Sequence, residues 1–83
     1  MGISAAVLAG LQSANQGFQL ADNLLQHHWL THSPGEERTQ RAEQYRNDFI
    51  KALAAQDVDG ANAARDGMYQ LLHEALASAL ASR

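Results

Sequence analysis

An all-α fold, with one long amino-terminal helix followed by an antiparallel helical hairpin, is predicted by three observations on this sequence. Alanine and leucine, both strong helix formers, make up most of its hydrophobic residues, while valine, isoleucine and threonine are scarce. Apolar residues recur at spacings of three and four, and no stretch alternates apolar and polar residues long enough to form a strand. Two turn signals, Ser33-Pro34-Gly35-Glu36 and Gln56-Asp57-Val58-Asp59-Gly60, divide the chain in three. The expected helices cover about residues 3–30, 34–56 and 59–81. They form one helical domain over residues 1–83, closed as a bundle or spread along neighbouring subunits.

The first helix carries the most information. Ile3, Val7, Leu11, Phe18 and Leu25 form one apolar line. Gly10, Ala14, Gly17 and Ala21 form a stripe of small residues that lets another helix approach closely. Leu8, Leu20 and Leu24 make a third line that widens the apolar surface. No charged side chain occurs from Met1 to Ala21, and Asp22 is the only formal charge before Glu36. The polar positions hold Ser4, Gln12, Ser13, Asn15, Gln16 and Gln19, which are far cheaper to bury than charges. The expectation is a helix largely surrounded by protein, for which two shorter helices of the same chain are too few.

In the second helix, Ser33 is expected as N-cap, Pro34 at the first position and Glu36 at the third, a capping box. Ala42, Tyr45, Phe49, Ala52 and Leu53 give it an apolar stripe. Arg38, Arg41, Glu43 and Lys51 lie on what is expected to be a solvated face, with Glu37 and Arg41 as an i,i+4 pair. In the third helix, Asp57 or Asp59 is the expected cap. Its apolar face, including Met68, Leu71, Leu72, Ala75, Leu76 and Leu80, is broad enough to touch more than one helix. Gly67 inside it calls for the close approach of a neighbour.

Composition bounds the function. A chain of 83 residues buries only roughly 60% of its unfolded surface, so its stability alone is marginal. Without cysteine there is no disulfide or thiolate metal site to supplement it. The net charge of −3 argues against a basic nucleic-acid-binding face. Arg38, Arg41 and Arg46 are interleaved with Glu37, Glu43 and Asp48, which neutralises their local field. Residues 1–21 have no positive n-region, and their glutamines and asparagine interrupt the apolar run. Neither a secretory signal nor a transmembrane helix is expected, and contact with a membrane surface is disfavoured without a lysine- or arginine-rich polar face. This leaves the location open between the cytoplasm and a macromolecular assembly.

His28 and His32 are the weak metal candidates, four apart on one face if the helix extends that far. Trp29 follows the first of them where a zinc-protease helix needs glutamate, and no third ligand can be read from spacing. A polar helix end, with histidines favouring the negative end of the dipole, is the plainer reading. Trp29 either seals the end of the core or anchors a partner. No nucleophile constellation and no phosphate-binding loop occur, so no catalytic residue and no cofactor are assigned.

The reading is therefore a non-catalytic structural or assembly subunit that packs against protein in a homo-oligomer or larger complex. The style of the first helix suits a virion, tail, secretion or filament component. Its expected interface is Val7, Gly10, Leu11, Ala14, Gly17, Phe18, Ala21, Leu25 and Trp29, with Met68, Leu72 and Leu76 from the third helix. The alternative is a small binding module or chaperone-like adaptor that presents the Met68–Leu72–Leu76 face of the hairpin to a partner.

Overall fold

A computed structural model describes residues 2–81. The helices are α1 (Ala5–Trp29), α2 (Glu36–Ala54) and α3 (Val58–Ala81), and no strand occurs among the described residues. The predicted all-α, three-helix architecture is the one observed.

Local chemistry sets each boundary. Ser4, in extended backbone, caps α1 by accepting a hydrogen bond from the Val7 N–H at 3.1 Å. The chain leaves α1 through Leu30, whose N–H reaches the His27 and His28 carbonyls. The start of α2 corrects the expected capping box. The N-cap is Gly35, at φ 82°, and no side chain caps the helix. Backbone at φ 82° and ψ 168° suits glycine alone, so the chain turns at Gly35 and leaves Ser33 and Pro34 outside the helix. Glu36 and Glu37 still occupy the first turn, where the helix dipole favours them.

The turn between α2 and α3 is a Schellman motif. The Asp57 N–H bonds the Ala52 carbonyl at 2.8 Å and the Gln56 N–H bonds the Leu53 carbonyl at 3.1 Å. Gln56 holds the left-handed position, φ 56°, that usually falls to glycine. Asp57 then caps α3, its carboxylate accepting from the Gly60 N–H at 2.9 Å. One of the two aspartates named from the sequence thus does the capping.

The helices run up, down and up. Gly10 lies beside Val58, and Gly17 lies beside Arg65 and Tyr69, so α1 and α3 are parallel. Phe18 stacks on Phe49 and Asp22 pairs with Arg46, so α2 is antiparallel to α1. The broad face of α3 touches both other helices, as its sequence predicts. Close approach is visible at two glycines. A Cβ on Gly10 would lie 2.9 Å from Val58 Cγ1, and one on Gly67 would strike the Tyr45 ring. Because α3 begins opposite Gly10, the first turns of α1 project past it, and the molecule is elongated, 53 × 19 × 17 Å.

The core is built on small residues. Alanines 14, 21, 42, 52, 61, 64 and 75 supply seven of its thirteen buried apolar positions. Leu25, Met68 and Leu71 are the largest side chains buried completely. Phe18 and Phe49 join α1 to α2, with ring centroids 4.2 Å apart and planes 7° from parallel. Alanine lets the helices close together, but each buried methyl contributes only about 0.8 kcal/mol.

Candidate functional site

The residues expected to form an interface mostly lie inside the chain. Leu11, Ala14, Phe18, Ala21, Leu25 and Met68 are buried in its own core. Val7, Trp29 and Leu72 are half-buried and pack against that core, and Gly10 and Gly17 face α3. Among these twelve residues only Leu76 is exposed. The small-residue stripe of α1 therefore makes its close contact with α3 of the same chain. The wide face of α3 covers this stripe, while the outer positions of α1 stay exposed: the chain's own two helices do not surround it. Trp29 takes the sealing position at the end of the bundle.

A different surface is left open. Leu20 and Leu24 of α1, with Tyr69, Leu76 and Leu80 of α3, are exposed to between 38% (Tyr69) and 63% (Leu80). Leu20 and Leu24 follow Gly17 at spacings of three and four, on the same flank of α1. Tyr69, Leu72, Leu76 and Leu80 follow Arg65 in the same way on α3. Since Gly17 sits opposite Arg65 and Tyr69 and the two helices are parallel, both rows border one groove. Near the middle of both helices the groove opens into a shallow hollow of about 590 Å³, lined by Ser13, Gly17, Arg65, Asp66, Tyr69 and Gln70. Leu76 and Leu80 stand toward the carboxyl-terminal end of α3. The sequence signal for this face was the third line of α1, in Leu20 and Leu24. Its exposure depends on which flank the neighbouring helices leave bare, and spacing along one helix does not specify that.

Little charge borders this face. Arg65 donates from Nε and Nη2 to Asp66 Oδ1 at 3.2 and 3.0 Å, so the charges on the rim of the hollow neutralise each other. Asp22, the one charge of α1, is buried toward α2. There Arg46 donates to its Oδ1 from Nη2 at 2.8 Å and from Nε at 3.1 Å. The outer positions of α1, including Gln12, Asn15, Gln16, Gln19 and Asn23, are exposed and uncharged.

On α2 the expected solvated face is partly engaged. Arg41 makes a two-pronged contact with Glu74 of α3, at 3.0 and 2.9 Å, and Arg38 Nε lies 3.6 Å from the same carboxylate. The bond from Arg41 holds the Glu74 carboxyl below the usual carboxylate range, against the opposing effect of burial. The same bond raises the Arg41 guanidinium above its ordinary value. The expected Glu37–Arg41 pair is present at 3.4 Å. Three of the arginines weighed as a nucleic-acid face, Arg38, Arg41 and Arg46, are thus held by carboxylates of other helices.

His28 and His32 come together with ring centroids 4.3 Å apart and planes within 4° of parallel. Ring-nitrogen lone pairs lie in the ring plane, so two stacked rings do not aim them at a common point. His32 Nδ1 lies 2.9 Å from Thr31 Oγ1. Among the described residues no group of three histidine, aspartate or glutamate side chains is placed to hold a metal ion. No helix among them is long and apolar enough to cross a membrane. No protein-family model, curated protein or solved structure matches this chain, so the face shared by α1 and α3 stands on its own geometry as the candidate site.

Proposed function

We propose that this chain is a non-catalytic assembly subunit that acts through helix packing, with the groove between α1 and α3 as its contact surface. The observation that carries the reading is the row of five exposed large apolar side chains on a face without net charge. Soluble monomers rarely leave contiguous apolar patches uncovered, and such patches mark sites of protein contact. The alanine-rich core adds a reason, because a bundle with few large buried side chains gains most from covering further apolar surface. A repeated component of a particle or filament is a setting that suits such a chain.

An adaptor that presents Met68, Leu72 and Leu76 is less well supported, since Met68 is fully buried and Leu72 is half-buried. The test is sedimentation of the wild type beside a Leu24→Glu, Leu76→Glu double variant. The wild type should sediment as a multiple of the chain mass. The double variant should sediment as a single chain with unchanged helical circular dichroism. Association that survives both glutamates would reject this surface.

A further inference from the structure

We infer that the hollow at the loop between α1 and α2 binds a small tetrahedral oxyanion, free or as the end of a phosphomonoester, through Arg38, His28 and His32; the inference does not depend on how the chain assembles. The hollow has a volume of about 250 Å³. Trp29 and Pro34 wall it, and α3 contributes only small side chains, which leaves the space open. Its ionisable lining is of one kind. His28 and His32 come from the end of α1 and the loop, Arg38 comes from α2, and no aspartate or glutamate lines it, in a chain whose net charge is −3.

One carboxylate touches this set, Glu74 of α3, and it is already engaged. Both its oxygens accept from Arg41, at 3.0 and 2.9 Å, while Arg38 approaches Oε1 with Nε alone, at 3.6 Å. That is too long for an N–H···O bond. No other carboxylate among the described residues pairs with Arg38, so its two terminal nitrogens are left for a ligand. The histidines complete the set. His32 Nδ1 lies 2.9 Å from Thr31 Oγ1, so Nε2 is the nitrogen that remains. In the imidazolium form both ring nitrogens donate, as an oxyanion requires. An anion needs charge and N–H donors, not two lone pairs aimed at one point, so the stacking that spoils a metal site does not spoil this one. Two charged rings with centroids 4.3 Å apart repel each other, and a dianion beside them offsets that repulsion.

Anion binding is therefore tied to proton uptake and tightens as the histidines gain charge. The other charged groups around the rings are Arg38 and, through it, Glu74; His27 is exposed next to them in sequence and does not line the hollow. Arginine does not deprotonate in proteins, and the Glu74 carboxyl is held below the usual range, so neither changes charge near neutrality.

Trp29, the only tryptophan, stands in the wall and reports occupancy by its fluorescence. Sodium sulfate is titrated at about pH 6 and about pH 8, against sodium chloride at matched ionic strength. The expected result is a saturable change with sulfate alone, with Kd about tenfold lower at the acid pH. Arg38→Gln should weaken binding about tenfold or more with unchanged helical circular dichroism. His32→Gln should remove most of the pH dependence. Lys51→Gln, which removes an exposed cation of α2 outside the hollow, should leave binding unchanged. Inorganic phosphate and glycerol phosphate, titrated in the same way, distinguish a free ion from the end of a larger ligand. No saturable response to any of the three anions would overturn the site. Equal weakening by Arg38→Gln and Lys51→Gln would overturn it as general charge attraction, and equal affinity at both pH values would overturn the role of the histidines.

Discussion

At the scale of single residues, backbone geometry overrides side-chain preference at both turns. Gln56 occupies a left-handed position because the Schellman bonds of Ala52 and Leu53 require a positive φ there. A non-glycine residue bears a steric penalty in that conformation. Gln56 is exposed, so its side chain contributes little packing in return. Gln56→Gly should therefore stabilise the chain by about 0.5–1 kcal/mol, read as a higher denaturant midpoint with an unchanged slope. A lower midpoint would mean that the glutamine side chain contributes more than its exposure indicates. The same conflict explains the misplaced start of α2. Ser33, Pro34 and Glu36 have the spacing of a capping box, but the positive φ of Gly35 lies between them and interrupts it. The sequence shows the residue types, whereas the dihedral that decides among them depends on how the loop must travel from α1 to α2.

At the scale of elements, periodicity made the three helices and their order legible, because each is long and carries a distinct apolar stripe. The partners of the charged residues were much less legible. Asp22 and Arg46 are twenty-four positions apart, and Arg41 and Glu74 thirty-three, so only the path of the chain brings them together. The Arg41–Glu74 contact gives the bundle a pH dependence. Its sign follows from Glu74, whose folded pKa lies below the ordinary glutamate value of about 4.3. The bond therefore contributes its full stability above that value and loses it as pH falls through the lower folded pKa. The acid limb of a stability-versus-pH curve should flatten in Glu74→Gln, at a loss of no more than about 1 kcal/mol near neutrality, because the pair is partly exposed. An unchanged acid limb would show that Glu74 has no part in it.

At the scale of the whole molecule, the sequence separates what is apolar from what is polar but does not specify which apolar residues face inward. The small-residue stripe of α1 was legible as a site of close contact; that the contact lies within the chain depends on the parallel placement of α3. Once Gly10, Ala14, Gly17 and Ala21 are covered from that side, Leu20 and Leu24 lie exposed beside Tyr69, Leu76 and Leu80, while Leu8, Leu30 and Ile50 are exposed elsewhere. The candidate surface is what remains after three helices with an alanine-rich core have covered each other. This places the proposed assembly on the flank of the bundle, while the charged residues of α2 lie on other faces. The most direct measurement is the mass of the wild-type chain by light scattering across a concentration series. The account predicts a rise from the 9.0 kDa chain mass to a plateau at a whole-number multiple of it, beginning with the dimer. A mass that stays at one chain up to the highest soluble concentration would contradict it.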